Sequence, residues 1–577
     1  MHLLEESPPT TLPDLLRRAC APAHAKTIGL LDGRGRRGEP RPWADFLRDA
    51  EDAAGRLVAL GVEPGEPVLL GLGTGFEFLE LWFGAVLAGA LPVAAAPPGG
   101  MGANDLVLRR LAAVFERLGG RRVVAAPALA ETARAQGLDA FADAIVDPSD
   151  VAALAPRPIS DAPRDPDDVA FLQLTSGSTG VPRAVRISHA GAAHNPRAMI
   201  AAVAACDRRL AAGLREGRAS CVSWLPLHHD MGLVGLLLSS LAVGAELWLS
   251  APRTFLGRPQ TWLQNLGAAE LTVSAAPNFA YQTCVERLEA PGLAGVDLSG
   301  WRAALCGAEM IRPETLHAFA ERFGSLGFDA TAFRPCYGLA EGTLAVTFDT
   351  RGEGLRTAPV PAGGAHDAAG PRETACLGAP VLDTEVAVVA PDGSPVPEGA
   401  VGEVRVKGPG VFLGYHNDPE ETAAALGGGW LRTGDLGFLR AGELYLAGRT
   451  KDILLVNGQN LMPHELEWLA ESASGGGGVT RAGAFSTVPA GADASAAEGE
   501  KAVVVIETGE TDAAVLGKIE REVRVDVGRA LGIPLADCVF VRRGRLPKTT
   551  SGKVQRRELA RRYATGELER LESEMSE

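Results

Sequence analysis

The sequence predicts an α/β protein with a large N-terminal body of several subdomains and a small α+β C-terminal domain. Between about residues 27 and 98, apolar runs alternate with glycine breaks, a pattern typical of strands and apolar helices in parallel α/β layers. Three later segments, TEVAVVAP, GEVRVKG and GELYLAG, are separated by turn signals and predict a small β-rich subdomain. After Gly448, helical and strand patterns alternate over an ordinary small-domain length.

Changes in composition set the predicted boundaries. Residues 155–168 are rich in Pro and Asp and predict a linker into the strand VAFLQLT, while residues 349–372 are rich in Gly, Pro and Ala and predict a long loop or insertion. Near the C-terminus, HELEWLAE and AVLGKIEREVRVDVGRALG predict helices, AGAFSTV, KAVVVIET and CVFVRRG predict strands, and AGADASAAEGE predicts a loop. We therefore assign the N-terminal body to residues 1–448 and the C-terminal domain to residues 449–577.

Charge and cysteine content argue against several classes of function. The 577 residues carry a formal net charge of −15, which disfavours nucleic acid as a partner because phosphate backbones need a basic surface. The eight cysteines form no C-x-x-C pair, so we expect free, mostly buried thiols in a reducing cytoplasm. No signal peptide is expected from the acidic N-terminus. The apolar residues 231–249 include Glu246 and predict core or a pocket wall rather than a membrane span.

The segment TSGSTG, residues 175–180, follows an apolar strand and is suited to phosphate binding. Its hydroxyl side chains and glycines provide hydroxyl donors and accessible backbone N–H groups. It does not fit the Walker A pattern, and taken alone it fits a surface loop better than a site. GLGTG at residues 71–75 lacks the third glycine of a dinucleotide-binding loop.

Four further motifs carry side chains that suit nucleotide chemistry. YGLAE (337–341) combines an aromatic ring that can stack on a purine with a carboxylate that can hold Mg²⁺. TGD (433–435) offers a carboxylate to ribose hydroxyls, and GRTKD (448–452) adds a guanidinium. LPKTTSGKVQRREL (546–559) is a basic loop that carries Lys553. Each motif alone also fits an ordinary turn or surface role, but coincidence explains the whole set poorly.

In this order, the motifs resemble those of the adenylate-forming superfamily, which includes acyl-CoA synthetases, luciferases and peptide-synthetase adenylation domains. The resemblance runs from about residue 27 to residue 562. It implies that a substrate carboxylate attacks the α-phosphorus of ATP, which gives acyl-AMP and pyrophosphate, and that a thiol then attacks the mixed anhydride. ATP and Mg²⁺ are the cofactors that it implies.

The resemblance also implies roles for individual residues. Lys553 would stabilise the charge that develops between the substrate carboxylate and the α-phosphate, and Glu341 would bind Mg²⁺. Lys451 would be the hinge about which the small C-terminal domain moves between the two half-reactions. The implied ATP and AMP ligands are Thr175, Ser176, Gly177, Ser178, Thr179 and Gly180 at the pyrophosphate, Gly307, Ala308, Glu309, Tyr337 and Gly338 at the adenine, and Asp435 and Arg449 at the ribose.

Three segments resemble one branch of the superfamily, the fatty acyl-AMP ligases: WLPLHHDMGLVG (224–235), SAAPNFAYQTC (274–284) and YGLAEGTL. That branch carries an insertion where residues 349–372 lie here. In the branch, the insertion accompanies weak use of CoA and transfer of the acyl group to the phosphopantetheine arm of an acyl carrier protein.

The expected acyl pocket is formed by His229, Asp230, Met231, Gly232 and Phe279. The apolar run MGLVGLLLSSLAVG fits a pocket wall, since a fatty tail gains ~0.8 kcal/mol per buried CH₂, but each of its residues fits plain core packing equally well. Amino-acid adenylation domains carry an aromatic–aspartate pair at positions 229 and 230, but HDMGL as a whole matches the fatty acyl branch better.

The sequence also departs from the common pattern. Arg183 and Ala184 replace a Lys-Gly pair, and arginine is a planar fork rather than a point donor, so contacts to pyrophosphate are expected to differ. Ala340 replaces a common threonine, and His228 replaces an aromatic residue at the pocket entrance.

These observations predict a stand-alone, cytoplasmic fatty acyl-AMP ligase that loads a separate acyl carrier protein, or a carrier domain of a polyketide or peptide synthase, as in natural-product biosynthesis. No carrier domain is expected after Lys553. A fatty acyl-CoA synthetase is the main alternative, and an amino-acid or aryl-acid adenylating enzyme is a further one. A non-catalytic relative is disfavoured because the positions of Glu341, Asp435, Arg449 and Lys553 are all filled.

Overall fold

The structure is a computed structural model that describes residues 8–21, 26–97, 105–160, 164–175, 181–361, 373–456, 459–473, 479–487, 500–549 and 552–572. Within these ranges, two mostly parallel sheets, an antiparallel sheet and their helices form a large N-terminal body, and a mixed sheet with helices forms a smaller C-terminal domain. This arrangement confirms the predicted fold class. The exact boundary at residues 448 and 449 stays a prediction.

The largest sheet is parallel in its middle and antiparallel at both ends. Parallel strands covered on both faces are usually apolar throughout, and the strand Leu271–Ala276 is buried at every position. In spatial order the strands are Ala379–Pro380, Ala345–Phe348, Phe333–Gly338, Trp301–Cys306, Leu271–Ala276, Ala219–Ser223, Glu246–Leu249, Thr27–Leu30 and Arg41–Pro42.

A second sheet separates two hydrophobic clusters. Successive side chains of a strand point to opposite faces, so Val68 and Leu70 pack into the main core while Leu69 packs into a smaller cluster with Val123 and Leu172. Its strands are parallel except for the last pair. In spatial order they are Ile145–Val146, Arg122–Ala125, Pro67–Gly71, Leu91–Ala94, Val169–Thr175 and Arg183–Ser188.

The predicted β-rich subdomain is an antiparallel sheet. Its strands are Glu385–Val389, Gly402–Lys407, Leu426–Gly427, Trp430–Arg440 and Glu443–Arg449. Within the predicted loop or insertion of residues 349–372, the strand Thr357–Pro359 pairs antiparallel with Glu373–Ala375. Residues 362–372 lie outside the described residues.

Helices of the N-terminal body cover the two large sheets. The helix Phe76–Ala88 is apolar except for Glu77 and Glu80 and is mostly buried. Its Gly84 lies so close to a neighbouring helix that an added Cβ would be 2.9 Å from Ala53 Cβ, so only glycine fits at this contact. The other helices are Leu12–Ala19, Trp43–Ala59, Asp105–Arg117, Ala128–Ala135, Asp139–Asp143, Pro148–Ala153, His189–Cys206, Arg208–Arg215, Met231–Leu238 (π), Ser239–Val243, Pro252–Gly257, Gln260–Leu266, Asn278–Arg287, Pro313–Phe323 and Pro419–Ala425, with 3₁₀ turns at Ala290–Leu293, Gly324–Leu326, Ala330–Ala332 and Ala340–Gly342.

The C-terminal domain has hydrophobic clusters on both faces of its sheet. Along the strand Lys501–Thr508, Val504 and Ile506 face one cluster, while Val503 and Val505 face another that contains Leu559. The loop that carries Lys553 is therefore anchored to this second face. The elements are the strands Leu454–Val456, Gln459–Leu461, Val479–Thr487, Lys501–Thr508, Leu535–Arg542 and Arg570–Leu571, and the helices Thr450–Asp452 (3₁₀), Pro463–Ala473, Ala513–Leu531 and Arg556–Ala564.

The cysteines and the apolar helices were also the subject of predictions from the sequence. All eight cysteines lie in the described ranges and are free, and six of them are buried, which confirms the expected thiols. Among the helices of the described ranges, none is long and apolar enough to cross a membrane.

Candidate active site

A cavity of about 1100 Å³ lies at the carboxyl ends of parallel strands from both large sheets and is closed on one side by the C-terminal domain. Ala94, Thr175 and Tyr337 lie at such strand ends and line it. Crevices at this edge of an open α/β sheet are where ligands usually bind. The predicted site residues that line the cavity are Thr175, His229, Asp230, Met231, Ala308, Glu309, Tyr337, Gly338, Glu341, Asp435, Arg449, Lys451 and Lys553.

Other predicted site residues are placed differently. Residues 176–180, the rest of TSGSTG, lie outside the described residues. Gly307, predicted beside the adenine, and Gly232 and Phe279, predicted in the acyl pocket, are not among the residues that line this cavity, and their roles stay predictions. The two glycines are required by close packing, since an added Cβ would lie 2.8 Å from the Cys336 carbonyl oxygen and 2.3 Å from that of Pro226, respectively.

A buried carboxylate stands at the centre of the predicted ribose site. Asp435 and Arg449 face each other across the paired strands Trp430–Arg440 and Glu443–Arg449. The Arg449 Nε–H donates to Asp435 Oδ1, and the Tyr337 hydroxyl donates to Asp435 Oδ2 at 2.5 Å. Burial and the adjacent Asp435 raise the pKa of Tyr337 well above its usual value, so the phenol stays protonated. The carboxyl group of Asp435 is thus held in place by two donors.

A second set of polar side chains surrounds Glu341, which lies in the turn Ala340–Gly342. The Tyr415 hydroxyl donates to Glu341 Oε1 at 2.7 Å. The Arg183 guanidinium lies over the Tyr415 ring, 5.3 Å from its centroid, and pairs with Glu421 at 2.9 Å. The arginine that replaces lysine in the sequence is therefore held against the wall of the cavity by an aromatic ring and a carboxylate.

The residues around Glu341 fit a Mg²⁺ ion that arrives with a nucleotide. Within the described ranges, no group of three or more His, Cys, Asp or Glu side chains could hold a metal ion. Mg²⁺ differs from metals that need such a cage, because it is commonly held by one or two carboxylates together with phosphate oxygens. Glu341 supplies one cavity-facing carboxylate, whose orientation Tyr415 fixes.

Lys553 enters the cavity from the C-terminal domain on a tightly closed loop. The Thr549 N–H donates to the Lys553 carbonyl at 2.7 Å, and the Lys553 N–H donates to Thr549 Oγ1 at 3.0 Å. Gly552 has φ +85°, and an added Cβ there would lie 3.0 Å from Phe279 Cε1. Phe279, predicted in the acyl pocket, thus forms part of the surface on which the loop that carries Lys553 packs.

The surroundings of Lys553 combine one positive and several negative charges. Burial and the nearby Arg449 lower the pKa of the Lys553 ammonium below its usual value, and Asp230, Glu309 and Asp435 partly oppose this shift. The ammonium therefore lies near Asp435 at the predicted ribose site, near Glu309, and near Asp230 at the predicted acyl end of the cavity.

The apolar end of the cavity begins at a short polar pair. His229 Nδ1 and Asp230 Oδ1 are 2.7 Å apart, and the Met231 N–H donates to the same oxygen at 2.7 Å. Burial acts to raise the pKa of Asp230, but His229, Lys553 and the Met231 N–H together outweigh it and lower that pKa. From residues 231–249 of the described structure, only Met231 and Gly235 line the cavity, and most of the other apolar side chains of the run belong to the main core. Further apolar lining comes from Met199, Ala275, Leu305, Ile311, Leu344 and Phe348.

The remaining departures from the common pattern are small buried groups. Ala184 is buried and pairs with Leu174 between antiparallel strands, and Ala340 is buried at the cavity wall. Burial lowers the pKa of His228 to about 4, so this histidine is neutral at pH 7. Its carbonyl accepts a hydrogen bond from Gln173 Nε2 at 2.9 Å.

The predicted hinge residue Lys451 lies in the 3₁₀ turn Thr450–Asp452 and is exposed. The next residue, Asp452, accepts a hydrogen bond from Arg556 Nη1 at 3.1 Å, and Arg556 also makes a bidentate pair with Glu467. The chain is therefore fixed to the C-terminal domain directly after Lys451.

Comparison with known proteins decides the family. The profile of the AMP-binding enzyme family matches residues 25–416. The chain belongs to this family. A putative acyl-CoA synthetase of Caulobacter vibrioides is 33% identical over 93% of each chain. The long-chain-fatty-acid–AMP ligase FadD26 of Mycobacterium tuberculosis is 32% identical over 92% of each.

Solved structures extend the similarity of this AMP-binding enzyme to its full fold. One, from a study of fatty acyl-adenylate ligases of E. coli and L. pneumophila, is 30% identical, with a TM-score of 0.85 over 96% of this chain and 98% of that one. A fatty acyl-adenylate ligase of L. pneumophila in complex with acyl adenylate and pyrophosphate is 28% identical, with a TM-score of 0.67 over 96% of each chain. The predicted family is confirmed, and the protein is an ATP-using, adenylate-forming ligase.

Three cavity residues of this AMP-binding enzyme were missed in the sequence: Tyr415, Glu421 and Arg481. The segment GYHNDPEET, residues 414–422, carries the first two and offered a weak signal, an aromatic residue beside a glycine followed by an acidic cluster. Arg481 had no signal, because it follows an undistinguished stretch of glycines.

Proposed function

We propose that the enzyme activates a fatty acid as its acyl-adenylate, with release of pyrophosphate, and transfers the acyl group to the phosphopantetheine thiol of a carrier protein. The observation that carries this proposal is that Lys553, from the C-terminal domain, shares one cavity with the Asp435 cluster and with an apolar end that contains Met231. Lys553 lies between a polar end that suits a nucleotide and an apolar end that suits a fatty tail. A cation in this position is suited to joining the carboxylate of a fatty acid to ATP.

The polar end supplies the nucleotide contacts. Asp435 would accept the ribose hydroxyls, with Arg449 and Tyr337 holding its carboxylate in place. The face of Tyr337 would stack on adenine beside Ala308 and Gly338. Residues 175–180 would hold the pyrophosphate end. Mg²⁺ held by Glu341 would neutralise charge on the phosphates.

The first half-reaction joins the two ends. A carboxylate oxygen of the fatty acid bonds to the α-phosphorus, and the bond to the bridging oxygen breaks, so that pyrophosphate leaves with the electron pair. The Lys553 ammonium would stabilise the negative charge on both reacting groups, a placement worth ~10²–10³-fold in rate for a single donor. The fatty tail would lie against the apolar lining, with ~0.8 kcal/mol per buried CH₂.

In the second half-reaction a thiolate adds to the acyl carbonyl carbon, and AMP leaves with the electron pair of the anhydride bond. Rotation of the C-terminal domain about Lys451 would withdraw Lys553 and admit the thiol. The hydrogen bond of Asp452 to Arg556 supports a pivot at Lys451, since residues beyond it are bound to the small domain.

A fatty acyl-CoA synthetase is the second candidate, supported by the relative described as a putative acyl-CoA synthetase. The fatty acyl-adenylate ligase structures and the FadD26 relative support formation of the acyl-adenylate, a step that both candidates share. The predicted cytoplasmic location belongs to the same proposal.

The acceptor is tested by product analysis with labelled fatty acids of several chain lengths, ATP and Mg²⁺. Equal concentrations of CoA or of a holo acyl carrier protein are then added, and acyl-AMP, acyl-CoA and acyl-carrier are separated. The proposal predicts that acyl-AMP accumulates and that label moves to the carrier but hardly to CoA. Formation of acyl-CoA as fast as acyl-carrier would favour the second candidate.

A further inference from the structure

The carboxylate of Glu309 contacts both the N-terminal body, to which it belongs, and the C-terminal domain. Its Oε1 accepts the backbone N–H of Phe279 at 2.7 Å, and its Oε2 accepts Arg481 Nη2–H at 3.0 Å. The side chains of Glu309 and Arg481 are only 10% and 23% exposed. Salt weakens exposed ion pairs but screens buried ones much less, so this contact is suited to holding two domains together.

Arg481 is itself held rigidly within the C-terminal domain. It lies in the strand Val479–Thr487, and its Nε is 3.8 Å from Glu471 Oε1. The same oxygen accepts the Ala482 N–H at 3.0 Å. Burial acts to lower the pKa of Arg481, but Glu309, Glu471 and Glu467 together outweigh it and raise that pKa, so the guanidinium stays charged. Movement of Arg481 therefore means movement of the domain.

The same carboxylate positions the surface that receives the lysine loop. Glu309 holds the Phe279 backbone, and the Phe279 ring packs against Gly552, the residue before Lys553. Arg312 adds a neighbouring contact, because its guanidinium donates to Ser472 of the C-terminal domain. Glu309 thus contacts both the domain that carries Lys553, through Arg481, and the surface on which the Lys553 loop packs, through Phe279.

We propose that the Glu309–Arg481 pair is a latch that holds the C-terminal domain in the orientation that brings Lys553 into the cavity. Arg481, which lies at the edge of the cavity, is then a positioning residue for adenylation that acts through Lys553. The inference rests on the proposed function of Lys553 in adenylation. Glu309 then has a role at the domain interface in addition to its predicted place beside the adenine.

The latch is tested with Arg481→Gln, Arg481→Lys and Glu309→Gln, and with Arg529→Gln as the matched control on an exposed part of the same domain. Fatty-acid-dependent pyrophosphate exchange should fall roughly 10- to 100-fold in Arg481→Gln and Glu309→Gln, because each variant removes a hydrogen bond between charged groups. Arg481→Lys should retain an intermediate rate, and Arg529→Gln should match the wild type.

Hydrogen exchange distinguishes a latch between the domains from a residue that only stabilises its own domain. In Arg481→Gln, peptides that cover residues 552–557 should lose protection, while the buried strand Lys501–Thr508 should keep it. Loss of protection in both segments would mean that Arg481 only stabilises its own domain, and the latch would be rejected. Unchanged exchange rates and activity in all Arg481 and Glu309 variants would reject it equally.

The failure of the latch and that of the proposed function are distinguishable. If Lys553→Ala abolishes pyrophosphate exchange while the latch variants do not affect it, only the latch is wrong. If Lys553→Ala leaves exchange intact, the proposed function of Lys553 itself is wrong.

Discussion

Replacing Tyr337 with Phe removes one oxygen atom from the proposed nucleotide site and keeps the ring that would stack on adenine. Tyr337 is 7% exposed, and its hydroxyl donates to Asp435 at 2.5 Å. Hydrogen bonds to charged groups contribute about 1.5–3 kcal/mol, which corresponds to roughly 10- to 150-fold in an equilibrium constant. Asp435 keeps Arg449, whose side chain is 57% exposed and can adapt, so we expect the lower end, about tenfold.

The effect should appear in the KM for ATP and not in the KM for the fatty acid. Pyrophosphate release is measured while each substrate is varied at saturation of the other. Tyr445→Phe is the matched control, because Tyr445 is 5% exposed, stacks on Phe438 and lies outside the cavity. It should lower the melting temperature without changing either KM. A Tyr337→Phe enzyme with a lower melting temperature but an unchanged KM for ATP would refute the ribose-site assignment.

Three further predictions follow from single contacts. Tyr415→Phe removes the 2.7 Å hydrogen bond to Glu341, so the Mg²⁺ concentration that half-saturates pyrophosphate release should rise about 10- to 100-fold; an unchanged Mg²⁺ titration would contradict this. Gly552→Ala strains a residue at φ +85° and crowds Phe279, at a cost of about 1–3 kcal/mol. Adenylation should therefore slow at least ~5-fold, with little change in melting temperature. A wild-type rate would show that the loop does not pack as described. Because burial and Arg449 lower the pKa of Lys553, its positive charge is lost at a lower pH than that of an ordinary lysine, whose pKa is ~10.4. As the pH rises, kcat/KM should therefore begin to fall before pH ~10.4 is reached. Lys553→Arg should lack this alkaline fall, and a profile shared by both enzymes would exclude Lys553 as its source.

Local elements were predictable from the sequence because their patterns are local. KAVVVIET is the strand Lys501–Thr508, and the amphipathic pattern near residue 520 is the helix Ala513–Leu531. Pairing between distant segments was not predictable in this way. The strands Thr357–Pro359 and Glu373–Ala375 are three residues long, and only their pairing distinguishes them from loop.

The candidate site shows the same division. Motif order identified Asp435, Arg449 and Lys553, which the structure brings into one cavity. Tyr415 and Arg481 escaped detection because their partners lie 74 and 172 residues away in the chain.

The motif-based prediction also assigned Gly232 and Phe279 to the acyl pocket, which stays a prediction because neither is among the residues that line the described cavity. A motif contains residues that shape the backbone together with residues that touch the ligand. Gly232 packs against a backbone carbonyl, and Phe279 supports the lysine loop. Resemblance alone cannot separate these two kinds of residue.

The central claim is that Lys553 and the cavity it enters join a fatty acid to ATP. The direct measurement is fatty-acid-dependent exchange of labelled pyrophosphate into ATP by the wild type, by Lys553→Ala and by the control Lys518→Ala, whose lysine is exposed on the same domain. We predict exchange that requires the fatty acid, a rate ~10²–10³-fold lower in Lys553→Ala, and a wild-type rate in Lys518→Ala. Exchange without a fatty acid, or a Lys553→Ala rate within about twofold of the wild type, would contradict the claim.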